Sequence, residues 1–191
     1  YARQLKVLQA EFFGDSDFYS AGLELQGWQA EDLIINCDPL QSAWARQFAP
    51  GAVGRQILLE QIIRARPDVI YCQDMHNLPA ELLQALRPHT RLIVGQIASP
   101  AKDLPLACYD IVVSSFPHFV ERFRRQGVTA YYQPLAFEAR VLNAMTVRPF
   151  AQRPVPCAFV GSLSAAHQER LRMLEILAQG TPLEFWGCGA E

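Results

Sequence analysis

The chain has 191 residues, the length of one domain or of one domain with part of a second, which excludes a protein of several complete domains. Half of the residues are hydrophobic and 19% are charged, a composition typical of a globular protein rather than a disordered one. The 17 basic and 19 acidic residues give a net charge of −2 without a dense basic run, so nucleic acid is not expected as a partner. Every apolar stretch is shorter than the roughly 18 to 20 residues of a transmembrane helix, so none is predicted.

The first part of the chain predicts two strands with an irregular helix between them. Residues 5–9 are a short β-prone run, and the polar loop after them contains Gly14 and Asp15. Apolar residues scattered among small ones predict a helix at 18–28. The run LIINC at 33–37 then predicts a buried strand.

Helices and strands continue to alternate in the middle of the chain. Two helices are predicted at 39–48 and 53–66, and the second is the more regular because its apolar residues recur mostly every three or four positions. A third strand is predicted at 68–72, a short helix at 79–86 and a fourth strand at 91–95.

A fifth strand at 109–113 is followed by a helix that Ser114 or Ser115 caps and that ends near Gly127. A sixth strand is predicted at 128–132. The strands are nearly continuous apolar runs, as in a parallel sheet that helices cover on both faces. The alternation therefore predicts an α/β fold with a Rossmann-like, doubly wound parallel sheet.

The composition changes in a stretch of ten residues with three prolines and no apolar period, which is typical of an interdomain linker. A strand at 157–161, a helix at 167–178 and a strand at 183–186 follow, the first β-α-β of a second Rossmann-like domain. The residues after the linker are too few for a domain of at least about 50 residues, so we expect the chain to be a piece of a longer protein. The predicted division is an N-terminal domain at 1–146, the linker at 147–156 and the start of a C-terminal domain at 157–191.

The five cysteines are an odd number and form neither a CxxC pair nor a Cys/His cluster of zinc type. Interpreted as free thiols, they favour a reducing compartment. The N-terminus lacks the features of a secretory signal peptide. We therefore expect a cytoplasmic protein without a bound metal.

The loops that follow strands are the candidate sites, because ligands of open α/β sheets bind at the carboxyl ends of the strands. Asp74 and His76 come directly after the third strand, where a rigid strand end can hold a general base within reach of its proton. Alternatively, Asp74 caps the next helix and His76 is an exposed loop residue. Gly14 and Asp15 either approach a ligand or form an ordinary turn, and Ser114 is a cap or a ligand contact.

The loop after residues 157–161 is a candidate phosphate site. Gly161 permits close backbone approach, Ser162 can donate a hydrogen bond, and the free amides of a helix start favour an anion. Arg170 lies in the following helix, either at the site or on a solvated face. The fingerprint GxGxxG is absent, which argues against an ordinary NAD or FAD protein. A methyltransferase-like GxG at 187–189 lacks its third glycine and is disfavoured.

Several short motifs together resemble the GT-B glycosyltransferases, which have two Rossmann-like domains. They are most similar to the family 4-like group that includes the CgeB and YkvP spore-maturation proteins. The motifs are PDVIYCQD at 67–74, DIVVSS at 110–115 with a helix and glycine at 123–127, YQPLA at 132–136, and FVG at 159–161 with Arg170, Leu174 and Leu177.

The resemblance implies a hexosyltransferase-like enzyme of carbohydrate biosynthesis, which transfers a sugar from a nucleotide-sugar donor to a saccharide or other small acceptor in an interdomain cleft. The nucleotide sugar would be a substrate, and no cofactor is implied. Cations or amides at the donor would stabilise the leaving diphosphate as its charge grows. The implied residues are Asp74 and His76 for catalysis, Gly14, Asp15 and Ser114 for the acceptor, and Gly161, Ser162 and Arg170 for the donor.

The chain departs from the family pattern at three places. Gln96, Ala98 and Ser99 stand in the stretch where many members place a histidine after the fourth strand. The first loop has one glycine instead of a pair. The acidic donor-binding motif would lie beyond Glu191, so we expect the chain to be inactive alone.

Two other functions fit parts of the pattern. A receiver-like signalling domain is suggested by Glu11 and Asp74, but Gln133 and Pro134 stand where a Lys-Pro pair is expected. A non-catalytic binding or assembly module with a glycosyltransferase-like fold is favoured by the missing histidine at Ala98.

Overall fold

The computed structural model describes residues 1–12, 14, 16–100 and 103–188. The chain forms two compact units, Tyr1–Glu138 and Ala139–Glu191. The division falls before the proline-rich stretch at 147–156, which belongs to the second unit.

The first unit contains a parallel sheet of four strands. The strands lie side by side in chain order and are β1 (Val69–Cys72), β2 (Leu92–Gln96), β3 (Ile111–Ser114) and β4 (Ala130–Tyr132). They confirm the predicted third to sixth strands and the prediction of an α/β fold with a parallel sheet.

Six α-helices flank or precede these strands in the described part of the first unit. They are α1 (Ala2–Ala10), α2 (Phe18–Glu24), α3 (Asp38–Phe48), α4 (Arg55–Ala65), α5 (Ala80–Leu86) and α6 (Pro117–Arg125). Short 3-10 turns lie at Met75–Asn77, Arg87–His89 and Leu106–Cys108. The helices predicted at 39–48, 53–66 and 79–86 are confirmed, whereas the helix predicted at 18–28 ends earlier, at Glu24.

The strand predicted at 5–9 is wrong, because this segment belongs to α1. The sequence of α1, ARQLKVLQA, contains strong helix formers at every position except Val7. The short β-prone run at 5–9 favours a strand, but the helix propensity of the whole segment opposes it.

The strand predicted at 33–37 is also wrong. The segment is irregular, with a turn at 35–36, and pairs with no described strand, although the partly buried Leu33 and Ile35 pack against the core. The Ile34 carbonyl accepts a hydrogen bond from the Gln41 side chain, at 2.9 Å. Burial of its apolar side chains therefore occurs without a ladder of strand hydrogen bonds.

The core of the first unit lies between the sheet and its helices. Ile93 and Val112, in the two central strands, are fully buried. Phe119, Val120 and Phe123 form the buried face of α6, which packs on β3 and β4. The helix ends at a left-handed Gly127 with φ of +80°, as predicted, since a residue with a side chain rarely adopts this conformation.

Asp110 joins β2 to the start of β3. Its carboxylate accepts hydrogen bonds from Arg87 Nη1 at 2.6 Å and from the Ile93 amide at 2.7 Å. Arg87 also donates to the Cys108 carbonyl at 2.7 Å. Partial desolvation acts to raise the pKa of Asp110, but the hydrogen bonds from Arg87 and Ile93 outweigh it and hold the pKa below its ordinary value.

The second unit contains a parallel β-α-β. Its elements are α7 (Ala139–Ala144), 3-10 turns at Phe150–Gln152 and Ala165–His167, β5 (Cys157–Val160), α8 (Gln168–Gly180) and β6 (Leu183–Trp186). Phe159 and Phe185 are paired across the two strands, and their rings stack at 5.6 Å. The predicted β-α-β is confirmed.

In the described part of the chain, no helix combines the length and the apolar character needed to cross a membrane. Each of the five cysteines is a free thiol.

We expect Asp110→Asn to lower the free energy of unfolding by about 1 kcal/mol at pH 7, because it removes a charged acceptor from a pair that solvent partly screens. A lowered pKa in the folded state stabilises the protein above the unfolded-state pKa of about 3.9, and this stabilisation is lost as the pH falls through the folded-state pKa. The difference between the variant and the wild type should therefore shrink at pH 3. Urea unfolding at both pH values measures it.

Asp68→Asn is the matched control. Arg91 Nη1 lies 3.6 Å from Asp68 Oδ1, and the Asp68 and Arg91 side chains are 75% and 86% exposed. The decrease in the free energy of unfolding should therefore be close to zero. The stabilising role of the charged Asp110 would be contradicted if both variants lowered the free energy of unfolding equally. It would also be contradicted if the effect of Asp110→Asn persisted at pH 3.

Candidate functional site

Four neutral polar side chains converge near the carboxyl end of the sheet, and we call them the polar cluster. They are Tyr19 of α2, Tyr71 of β1, Gln96 at the end of β2 and Gln133 after β4. Gln96 Oε1 accepts hydrogen bonds from the hydroxyls of Tyr19 at 2.8 Å and Tyr71 at 2.7 Å. The Tyr71 hydroxyl also lies 3.3 Å from Gln133 Oε1, and the two tyrosine rings are 5.1 Å apart.

The pairing of β1 with β2 explains why Tyr71 and Gln96 meet. Tyr71 lies opposite Val94, so Tyr71, Val94 and Gln96 share one face of the sheet. Cys72 points to the opposite face and is buried in the core. Alternation along the strands thus separates an apolar side from the side that carries the polar cluster.

A shallow depression of about 300 Å³ lies beside the polar cluster. Two buried apolar residues, Met75 and Ile97, contribute to it. His76 Nε2 and Ser99 Oγ are 2.8 Å apart and join the loops that follow β1 and β2. The residues that line the depression are Gln73, Met75, His76, Gln96, Ile97, Ala98 and Ser99.

Asp74 holds the turn that carries His76. Asp74 Oδ1 accepts a hydrogen bond from the His76 amide at 3.2 Å, and Oδ2 accepts one from Asn77 Nδ2 at 2.5 Å. The carboxylate thus caps the 3-10 turn Met75–Asn77. Asp74 therefore acts as a cap, which is the alternative to a site role, and of the two only His76 lines the depression. The catalytic role of both residues stays a prediction.

The residues predicted to bind the acceptor are Gly14, Asp15 and Ser114, and the two that the structure describes, Gly14 and Ser114, do not lie in one environment. Ser114 is only 1% exposed, and its hydroxyl accepts a hydrogen bond from the Phe116 amide at 3.2 Å. Gly14 lies in an exposed turn with φ of +63°. Neither Gly14 nor Ser114 is among the described residues that line the depression. Asp15 lies outside the described residues.

The candidate donor loop is closely joined to β6. The Gly161 amide donates to the Trp186 carbonyl at 2.9 Å, and the Leu163 amide donates to the Cys188 carbonyl at 3.0 Å. A side chain at Gly187 would collide with the Gly161 backbone. The two glycines therefore permit a close approach between strands, and two amides of the loop are already paired.

Arg170 is tied to the same loop. Arg170 Nη2 donates to the Ser162 carbonyl at 3.3 Å, and its guanidinium lies 5.8 Å from the centre of the Phe159 ring. The buried Arg170 Nε has no hydrogen-bond partner among the described residues. The start of α8 also borders a depression of about 440 Å³, lined by His167, Gln168, Glu169 and Arg170.

The larger of the two depressions is the less convincing ligand site. It is lined by four consecutive residues of one segment, including a carboxylate at Glu169. The smaller one receives residues from the loops after two neighbouring strands, which is where ligands of α/β sheets bind. We therefore regard the depression beside Gln96 as the candidate site.

Neutral groups lie beneath the site on the apolar side of the sheet. Burial raises the pKa of the Cys72 thiol to about 12, so this cysteine is not a nucleophile at neutral pH. Burial is also the main cause of the raised pKa of Tyr109, to which Cys72 adds. The buried Tyr109 hydroxyl has no hydrogen-bond partner within the described ranges.

The sequence analysis did not predict three residues of the site: Gln96, Ser99 and Tyr19. The sequence marks Gln96 and Ser99 only as standing where the glycosyltransferases that the chain resembles place a histidine, and it marks Tyr19 only as part of a predicted irregular helix. The position of Gln96 and Ser99 after a predicted strand was the available signal. Nothing local marks Tyr19, because its contact with Gln96 spans 77 positions.

No group of three or more His, Cys, Asp or Glu side chains in the described part of the chain is arranged to hold a metal ion. No protein-family model matches the chain, and no curated protein matches it significantly. The resemblance to GT-B glycosyltransferases thus stays a prediction.

We expect Gly95→Ala to destabilise the first unit by about 1 to 3 kcal/mol and to displace the turn that carries His76, because the core beside Gly95 is already filled. The added Cβ would lie 2.6 Å from Met75 Sδ and 2.9 Å from the Tyr109 ring. Thermal unfolding and the NMR chemical shifts of the His76 ring measure the two effects.

Gly22→Ala is the control, because this helical glycine in α2 has open space around it. The control should leave stability unchanged or raise it, since alanine has the higher helix propensity. Similar stability for the two variants would show that the core beside Gly95 is not closely packed.

Proposed function

We propose that the chain is the acceptor-binding part of a glycosyltransferase, joined to the first β-α-β of its donor-binding part. The observation that carries the proposal is the convergence of hydroxyl, amide and imidazole groups at the carboxyl ends of β1 and β2. The finer features proposed with it are a doubly wound GT-B architecture, a nucleotide sugar as the donor substrate and a cytoplasmic location.

Sugar hydroxyls are neutral groups that both donate and accept hydrogen bonds. Amides, hydroxyls and a histidine ring offer complementary donors and acceptors. The depression beside Gln96 presents these groups together with the apolar Met75 and Ile97. This chemistry suits a saccharide acceptor better than a charged ligand.

His76 is the residue best placed to act as the general base. Its Nε2 already lies within hydrogen-bond reach of one hydroxyl, that of Ser99, at 2.8 Å. An acceptor hydroxyl that replaces Ser99 at this nitrogen would be positioned to lose its proton as it attacks the donor sugar. Asp74 contributes by holding the turn of His76 in place.

Arg170 and Ser162 are the proposed donor contacts. As the bond between the sugar and the nucleotide breaks, negative charge grows on the diphosphate, and a guanidinium or hydroxyl donor stabilises it. Arg170 Nε has no hydrogen-bond partner in the part of the chain that the structure describes, which supports this role.

A non-catalytic binding module of the same fold is the second candidate. It is favoured by the contacts of Asp74, whose two carboxylate oxygens both cap the local turn. It is also favoured by the paired amides of Gly161 and Leu163, which are not free to bind a phosphate.

We expect UDP, GDP or one of their sugars to bind, in calorimetric titrations, a longer protein that carries the complete donor-binding domain. Arg170→Gln should weaken that binding about tenfold through the loss of a charged hydrogen-bond donor. Arg172→Gln, an exposed change on the same helix, is the control and should bind as the wild type does. If no nucleotide binds, or if both variants lose the same affinity, the donor site at this loop is wrong.

Turnover separates the two candidate functions. With a nucleotide sugar that binds, we expect a longer protein that carries the complete donor-binding domain to release the nucleotide, since the chain alone is expected to be inactive. His76→Asn should slow this release about 100-fold or more if His76 is the base. His89→Asn is the control, because His89 is not among the residues that line the depression. Binding without any turnover, measured by chromatography of the released nucleotide, would favour the non-catalytic module.

A further inference from the structure

Gln96 is held in one orientation by two phenols. Its Oε1 accepts the hydroxyl hydrogens of both Tyr19 and Tyr71, at 2.8 and 2.7 Å. A carbonyl oxygen has two lone pairs, so both are used. The reversed amide would leave the Tyr19 hydroxyl hydrogen without an acceptor among the described residues, which favours the orientation with Oε1 toward the phenols.

This arrangement leaves the amide nitrogen of Gln96 as its available group. No described residue accepts a hydrogen bond from Gln96 Nε2, and Gln96 lines the depression beside His76 and Ser99. The residue therefore offers two N–H donors and no acceptor.

We infer that Gln96 is a specificity-determining residue, which donates its amide hydrogens to a hydroxyl or ring oxygen of a neutral, polyhydroxylated ligand the size of one sugar ring. The inference rests on the proposed function, since it names the acceptor class of the same site. Tyr19 and Tyr71 are positioning residues that act through Gln96.

The rest of the lining supports a neutral ligand. Within the described residues, the depression is lined by amides, a hydroxyl, an imidazole and apolar groups, without Lys, Arg, Asp or Glu. Its volume of about 300 Å³ is at the lower end of the range for small-molecule sites. A monosaccharide fits this size and polarity better than a nucleotide sugar does.

Gln96→Glu is the sharpest test of the inference. The glutamate keeps an oxygen for Tyr19 and Tyr71, so the contacts that hold the residue survive, while the N–H donors are replaced by an oxygen that repels a ligand oxygen. Gln84→Glu makes the same charge change on the exposed surface of α5 and is the matched control.

The probes are the methyl glycosides of glucose, mannose and N-acetylglucosamine, titrated into the 15N-labelled full chain, with glucuronate as the charged comparison. We expect at least one glycoside to shift the side-chain amide resonance of Gln96, and glucuronate to bind more weakly. Gln96→Glu should reduce the affinity about tenfold or more, whereas Gln84→Glu should not.

Tyr71→Phe tests the positioning role. Removal of one phenol should broaden or move the Gln96 side-chain resonance before any ligand is added, and should weaken glycoside binding less than Gln96→Glu does. An unchanged resonance would overturn the role of Tyr71 and with it the orientation on which the inference depends. If Gln96→Glu fails to fold, the resonance shift in the wild-type chain decides the outcome.

The outcomes distinguish this inference from the proposed function. Glycosides that bind without moving the Gln96 resonance, or that bind Gln96→Glu as tightly as the wild type, overturn the inference and leave the glycosyltransferase proposal intact. Nucleotide-sugar binding and turnover without any glycoside binding would also overturn the role of Gln96 and leave the glycosyltransferase proposal intact. Glycoside binding at Gln96 without nucleotide-sugar binding supports the role of Gln96 and contradicts the proposed glycosyltransferase function. If neither glycosides nor nucleotide sugars bind, both the role of Gln96 and the glycosyltransferase function are contradicted.

Discussion

The parallel register between β1 and β2 is the constraint on which the candidate site depends. It places Cys72 opposite Gly95, so that Tyr71 and Gln96 emerge on one face. The missing side chain of Gly95 leaves room for Met75 and Tyr109 on the other face. A shift of the β1–β2 register by one residue would exchange the two faces, so that polar groups were buried and apolar groups exposed. The hydrophobic core therefore fixes the geometry of the polar cluster.

The two sides of the sheet differ in what they can do chemically. On the apolar side, burial raises the pKa of Cys72 and of Tyr109 further above neutrality, so both remain protonated well into the alkaline range. On the other side, phenol and amide groups form a network that orients Gln96 without any formal charge. Selectivity at such a site depends on the direction of hydrogen bonds more than on ion pairing, and this is how neutral ligands are distinguished.

Sequence reasoning predicted the four paired strands because each is a nearly continuous apolar run. It failed at 5–9, where a β-prone run lies within a segment of strong helix formers. It also failed at 33–37, where apolar side chains are partly buried without a described strand to pair with. The location of Asp74 and His76 was predictable from the strand end that precedes them. The partners of Gln96 were not, since contacts between distant loops depend on the register and on helix placement, which no short motif encodes.

The hydrogen bond from Tyr19 to Gln96 also fastens α2 to the sheet. Tyr19 and Tyr71 both donate to Gln96, so the orientation of this glutamine depends on both tyrosine hydroxyls. A lineage that lost one phenol would retain little selection for the glutamine, and one that replaced the glutamine would no longer need two tyrosine hydroxyls. Across descendants of this sequence, these three positions should change together, leaving a record of covariation between segments that are far apart in the chain.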